Sequence, residues 1–380
     1  MTPVSLPSFE LLPNELLDEI ISCLATSPPS AARLHQPPSA RISRSDDRPL
    51  KNLARASSQI LEVVRPRLFA HACFDLENVP EFLSFISTSN LGRYVTSIVV
   101  HSRPFMKQAA DPFWWRQVLA CLDPLGVTVV APPSSIGTML GAEIFEGDSW
   151  AFDVPLQILH LKKNPQNVAL GQLPSLEKCS SLLEARDWSS MVFNESSSIK
   201  AYTHYEYFLF QSPSLFTTWG SIASLRSREA RAALSVRFNN LTSFSFVAVF
   251  PFYNHVKLVL NAIELMVNLR SLSIQLAPCE GDKVTEIEQK GSMDPSDPWM
   301  EIATGYSLIA HLVKDLGEKK RLVQFMARDY SFDALRPELS AILSEVLDDT
   351  DWVHDGDGTW NRRVRNSSEP FNEVLPLVDV

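Results

Sequence analysis

Gly147-Asp148-Ser149 sets a serine beside an acid, and Asp351-Trp352-Val353-His354 supplies an acid and an imidazole late in the chain. A serine hydrolase needs those three groups to meet in space, hydroxyl on imidazole and imidazole on carboxylate. The block is short, lies mid-chain and is no G-x-S-x-G elbow. Neither a G-x-x-x-x-G-K-[ST] phosphate loop nor a G-x-G-x-x-G turn is present. The acidic run from Asp348 to Asp357 invites a calcium reading. A loop starting at Asp355 would need glycine at its sixth position and glutamate at its twelfth. The chain has Trp360 and Asn366 there. The eight histidines are scattered, and none stands at ligand spacing from another histidine or a cysteine. His71 and His101 read as structural. The expectation is a protein that is not an enzyme, with no catalytic residue, cofactor or metal.

The elements around these residues change character along the chain. Leu16, Leu17, Ile20, Ile21 and Leu24 recur at helical spacing and draw a broad apolar stripe. Pro13 suits the start of that helix, and Glu15, Asp18 and Glu19 suit its positive end. Residues at about 26–49 are rich in proline, serine and arginine, which predicts a disordered insert. Arg41-Ile-Ser43 and Arg44-Ser45-Asp46-Asp47 inside it have the composition of phosphorylation sites, although a plain polar linker has the same composition. Leu50, Leu53, Ala56, Ser57, Ile60, Leu61 and Val64 resume a helical pattern, with Pro66 marking a break.

Beyond residue 90 strand-like and helix-like runs alternate. Leu156-x-x-Leu159-x-Leu161-x-x-Asn164 fits the opening of a leucine-rich repeat. Looser versions are Val95/Ile98/Val100, Trp188/Met191/Phe193, Tyr205/Phe208/Phe210, Leu241/Phe244/Phe246, Leu269/Leu272/Ile274 and Leu322/Phe325/Ala327. Each unit would have a strand and a covering helix that bury their faces only against neighbouring units. An ordinary α/β sheet carries similar spacings. Helical patterns at 299–316 and 336–347 read as closure, and Trp114 or Trp115 must be core.

The 380 residues carry a net charge of -10 and are 45% hydrophobic. Such a balance permits a sizeable core and argues against nucleic acid as a partner. Five cysteines without a CxxC pair suggest reduced thiols. The opening residues lack the pattern of a secretory signal, and no apolar run approaches the roughly 18 residues of a membrane span. The expected location is the nucleus or cytoplasm, with no membrane contact.

Two stretches together resemble the F-box of fungal F-box proteins. Leu12-Pro13-x-Glu15-Leu16-Leu17-x-Glu19-Ile20-Ile21-x-x-Leu24 is similar to its first half. Leu50-x-x-Leu53-Ala54-x-Ala56-Ser57 through Val63-Val64-x-Pro66-x-Leu68-Phe69 is similar to its second. The insert separates them, and Gln59 and Ile60 stand where the family often has a tryptophan. The resemblance implies docking on a Skp-type adaptor and, through it, on the cullin of an SCF-type ubiquitin ligase. Leu12, Pro13, Leu16, Leu17, Ile20, Leu24, Leu53, Pro66 and Leu68 would meet that adaptor. The repeat region would hold an unknown target protein. The implied architecture is α/β: an F-box-like helical domain at 9–70, a leucine-rich-repeat-like solenoid at 90–350, and an acidic loop and tail at 351–380. Two alternatives remain: a repeat-based interaction scaffold whose first helices only cap the solenoid, and an α/β hydrolase built on Ser149.

Overall fold

The computed structural model describes residues 12–24, 27–44, 48–102, 111–165, 175–279, 282 and 294–363. Its strands are β1 (His71–Asp75), β2 (Ser97–His101), β3 (Gly126–Ala131), β4 (Gln157–Lys163), β5 (Trp188–Ser197), β6 (Ser243–Val249), β7 (Ser271–Gln275), β8 (Gln324–Ala327), β9 (Trp352–His354) and β10 (Thr359–Arg362). They form one ten-stranded sheet in the order β1-β2-β3-β4-β5-β6-β7-β8-β10-β9. β1 to β3 are parallel, as are β5 to β8. β4 runs antiparallel to both neighbours, and β10 runs antiparallel to β8 and β9.

Period-two alternation builds the core. Side chains of a strand point alternately to its two faces. Ile98 and Val100, Met191 and Phe193, Phe244 and Phe246, Leu272 and Ile274, and Phe325 and Ala327 all turn to one face and are buried. There they meet Ile86, Trp115, Ile136, Phe216, Val256, Ile309 and Leu343 from the helices. From β5 to β8 the pairs are in register, Met191 beside Phe244 beside Leu272 beside Phe325. The residue that opens each of these triplets, Val95, Trp188, Leu241, Leu269 or Leu322, is buried in the same core.

Two of the expected repeat units behave differently. Leu156-Leu159-Leu161, the best match to the motif, lies at β4, the antiparallel strand. Leu159 and Leu161 reach the core, but Leu156 packs on the opposite face. Tyr205/Phe208/Phe210 is no strand at all. It forms a 3-10 turn at Tyr207–Leu209 whose outer side chains are exposed.

The C-terminal part also differs from expectation. Residues 352–362 form a hairpin, not a loop, and Trp352 and Trp360 are buried. Asp355 shapes its turn by accepting from the N–H groups of Asp357 and Thr359 at 2.8 and 3.1 Å. Gly358, at φ 85°, has no room for a Cβ against Tyr330 and Ala327. The sheet region therefore spans 71–362, wider than expected at both ends. Arg365 and Asn366 lie outside the described residues.

The larger correction concerns the insert. Residues 27–44 are placed against the face of the sheet that the helices leave open. Leu34 and Ile42 are buried there with Val99, Val130, Ile158 and Val192. Asn194 Nδ2 on β5 donates to the carbonyls of Leu34 and Gln36, each at 2.9 Å. His35 Nε2 lies 3.2 Å from Ser245 Oγ on β6, and Cys279 Sγ donates to the His35 carbonyl at 2.9 Å. At the other end Ser43 Oγ lies 3.1 Å from Cys73 Sγ on β1. Composition predicts disorder because little apolar material is present. Two well-spaced anchors suffice when a prepared polar sheet receives the backbone carbonyls. Burial contributes roughly 1.5–3 kcal/mol for each anchor. Ser45 lies outside the described residues.

This strap carries a pH dependence. Burial first, then the charges of Arg328 and His160, push His35 down to about 4. Burial first, then Lys162, does the same to His160. An undocked strap therefore takes up protons at a higher pH than a docked one. Docking is complete above the ordinary histidine value of 6.5 and weakens as pH falls towards 4. By about pH 4.5 the loss is on the order of 2 kcal/mol. Hydrogen exchange, corrected for intrinsic rates, is expected to reveal lower protection at residues 33–36 at pH 4.5 than at pH 7. His35→Asn should shrink that difference, leaving the share of His160, and equal protection of the wild type at both pH values would refute it.

Candidate interaction surface on the first helices

Among the described residues three α-helices precede the sheet: α1 (Asn14–Ser22), α2 (Pro49–Leu53) and α3 (Ser58–Leu68). Pro13 sits just before α1, and its carbonyl accepts the first helical bond, from Leu17 N at 3.1 Å. Ser57 caps α3, its side chain accepting from Ile60 N at 3.3 Å. The pattern from Leu50 to Val64 is thus broken into two helices by that cap. Pro66, expected to break the second, lies inside α3, which continues to Leu68. A proline near a helix end forgoes one hydrogen bond that its neighbours can spare.

These helices have a small core of their own. Leu17 and Ile21 of α1 meet Ile60 and Val64 of α3, and Leu12, Leu50, Leu53 and Leu68 pack around them. Arg67 of α3 grips Asp18 of α1 through both carboxylate oxygens, and this hydrogen bond holds the Asp18 carboxyl below its usual value. α3 is fastened to the sheet region by Arg65 Nη2, which donates to the Ser89 carbonyl at 3.1 Å.

The apolar stripe of α1 is divided by this packing. Leu17 is fully buried, at 0% exposure, while Leu16 beside it is 51% exposed. Pro13 and Ile20 are exposed as well. Leu16 and Ile20, one turn apart, share a face. Leu12, Leu24, Leu53, Pro66 and Leu68 are half-buried. Leu17 therefore belongs to the unit's own core and offers no side chain to a partner. Leu24 and Leu68 line a cleft of about 420 Å³ between the helices and β1, together with Arg44, Arg48, Lys51 and Arg67. Leu61 on α3 is another exposed apolar side chain, which the family pattern does not single out.

The polar clusters do not assemble a nucleophile. Ser149 Oγ is buried without a hydrogen-bond partner, so no imidazole activates it. A buried chain that spacing did not disclose joins Ser214, Glu195 and His255. Ser214 Oγ donates to one oxygen of Glu195, and His255 Nε2 lies 2.6 Å from the other. The order is wrong for serine chemistry, because the hydroxyl meets the carboxylate and not the imidazole. The chain ties β5 to the helices Leu215–Trp219 and Tyr253–Ile263. On the open sheet face Cys73 Sγ lies 3.7 Å from His101 Nδ1, and Asp75 lies 3.8 Å from the same nitrogen. Burial pushes the Cys73 thiol up and the His101 imidazole down. Both stay neutral, the opposite of an activated thiolate pair. His71 bonds Ser97 Oγ at 2.8 Å, and Trp114 and Trp115 are both core. Among the described residues no group of three His, Cys, Asp or Glu could hold a metal ion, and no helix is long and apolar enough to cross a membrane.

No family model, curated protein or solved structure matches this chain.

The division of the α1 stripe is measurable by stability. Leu17→Ala is expected to cost about 2–5 kcal/mol, as a buried truncation does. Leu16→Ala should change stability by no more than about 0.5 kcal/mol. Chemical denaturation of the two variants checks this, and equal losses would contradict the split.

Proposed function

We propose that the chain is a substrate-recognition subunit of an SCF-type ubiquitin ligase. The first helices dock on a Skp-type adaptor and so on a cullin, and the α/β region holds a target protein. The observation that carries this reading is the exposed pair Leu16 and Ile20 on a helix whose inner side already has its core. An α1 that only capped the sheet region would turn its apolar stripe inward. Exposed apolar pairs of this kind act as anchors when a partner excludes water from them. The resemblance of both halves to an F-box points to the same partner.

The α/β region is read as an irregular leucine-rich-repeat-like solenoid. Its support is the chain-order sheet with buried Leu-type triplets in register. The reversed β4 is the irregularity. The strap at 27–44 lies on the face that repeat proteins commonly offer to partners, so target binding uses other surfaces or displaces the strap. In this role the protein supplies proximity, and bond-making belongs to the recruited conjugating enzyme.

The test is a pull-down with a purified Skp-type adaptor, using the full chain beside Leu16→Ala/Ile20→Ala. Both side chains are exposed, so the variant should stay folded, which circular dichroism verifies. Wild-type capture lost at least about tenfold by the variant is the expected result. A folded wild type that captures no adaptor would overturn the ligase role in favour of an interaction scaffold.

A further inference from the structure

The segment 145–150 enters β4, and the segment 204–211 follows β5. Both therefore lie at the carboxyl ends of β3 and β5, where open α/β sheets bind their ligands. Asp148 Oδ2 accepts from Gln211 N at 2.8 Å and locks the two segments together. Trp150 packs its ring edge-on to His204 at 4.9 Å and to Phe210 at 5.4 Å. Behind them Tyr202, Tyr207 and Phe252 close the core, with centroids 4.7 to 5.4 Å apart.

The outer side chains have no such role. Trp150 is 60% exposed, Tyr205 86% and Leu209 65%, and Phe145 and Phe208 are exposed beside them. Burying any of these would have stabilised the fold by a kilocalorie or more. Five large apolar side chains are exposed on two segments that the Asp148–Gln211 bond and the Trp150 contacts tie together, and exposed apolar side chains gathered in this way mark a binding surface. The Phe145 ring lies against Gly147, where any Cβ would come within 2.3 Å of it.

The charge around the patch is one-sided. Residues 141–156 and 199–216 carry Glu143, Glu146, Asp148, Asp153 and Glu206 against the single cation Lys200. Lys200 is bound to Asp153 at 2.6 Å. The adjoining helix Asp297–Glu318 adds Asp297 and Glu301, and Tyr253 N donates to Glu301 at 2.5 Å. Burial, and then the charge of Asp297, pushes the Glu301 carboxyl up. Such a field repels nucleic acid and anionic lipid. It attracts cations, which exposed aromatic faces also bind.

We propose that this aromatic, acid-rimmed surface docks a basic protein segment in which arginine or lysine alternates with apolar side chains. The apolar side chains seat on Phe145, Phe208 and Leu209, and a guanidinium or ammonium lies over Trp150 or Tyr205. The carboxylates speed the encounter and select the sign of charge. The assignment does not rest on the ligase reading, because none of its residues lies on the first helices.

Panning a phage-displayed library of random dodecapeptides against the full chain tests it. The expected consensus is basic and apolar residues interleaved. The best such peptide, made synthetically, should bind Trp150→Ala/Phe208→Ala at least about tenfold more weakly than the wild type. Glu146→Gln/Glu206→Gln should bind it several-fold more weakly and with a shallower salt dependence. All four side chains are exposed, so both variants should stay folded, which circular dichroism verifies, with a slightly lower melting temperature only where the Trp150 contacts to His204 and Phe210 are lost. No enrichment, a neutral or acidic consensus, or a basic peptide that binds both variants like wild type would each overturn the proposal. Capture of phosphatidylcholine vesicles through Trp150 and Phe208, with no peptide enriched, would replace it with a membrane contact.

Discussion

The structure depends on one asymmetry: a wide sheet whose helices lie on a single face. Each strand from β1 to β8 is laid beside the one before it. When successive crossovers keep one hand and one direction, they all return over the same side of the sheet. One side then receives Phe193, Phe244, Phe246, Leu272 and Phe325 under helices. The other side receives none of that cover. Its central row reads Cys73, Val99, Thr128, His160, Val192, Ser245, Ser273 and Met326. That row is mixed: apolar towards β2 and β5, hydroxyl-rich at β6 and β7.

The strap follows from this row. Its two apolar anchors, Leu34 and Ile42, sit over the apolar part, with Val99, Val130, Ile158 and Val192. Its backbone carbonyls, at Leu34, His35 and Gln36, meet donors at the polar end, Asn194 and Cys279. The match is local, which is why so little apolar surface holds it. It also links the two halves of the helical unit through the sheet itself. Residues 12–24 and 48–68 are joined by a chain that first crosses the open face and then returns to β1. A disturbance of that face is therefore felt by the segment between α1 and α2.

Much of the sheet was legible before any coordinates. Triplets at 95, 188, 241, 269 and 322 named five strands, since three apolar positions in that spacing fix both a strand and its inward face. The same reasoning misread 205–210, because exposed aromatic side chains and buried ones look alike in sequence. It misread β4 too: spacing encodes which residues share a face, not the direction in which a strand is hydrogen-bonded. The helix at 336–347 was legible from its period alone. The strap was invisible because its partners lie up to 244 residues away, and composition measures only what a segment can bury on itself. The hairpin at 352–362 was hidden by its own turn. Asp355, Asp357 and two glycines read as a solvated loop, yet they are what a tight hairpin turn requires. At the candidate site, the spacing of α1 gave the stripe but not its division. Whether Leu16 or Leu17 points inward is decided by where α3 lies, and that is tertiary information.

The outer side of α1 and the aromatic rim at 145–150 and 204–211 are two of the apolar surfaces that the described residues leave outside the cores. They differ in a way that bears on their roles. Leu16 and Ile20 are aliphatic and stand on a helix with its own small core, so a rigid, preformed ridge is presented. Such a ridge suits an invariant partner with a matching groove. The rim is aromatic, lies on loops and is ringed by carboxylates, so it combines large contact area with charge selection. Aromatic side chains provide that area at little conformational cost, and charge distinguishes one partner from another more than it adds affinity. The covered sheet face fits neither description, because the strap already occupies it through Leu34, Ile42 and the bonds to Asn194 and Cys279. The sheet between these two surfaces holds both in place.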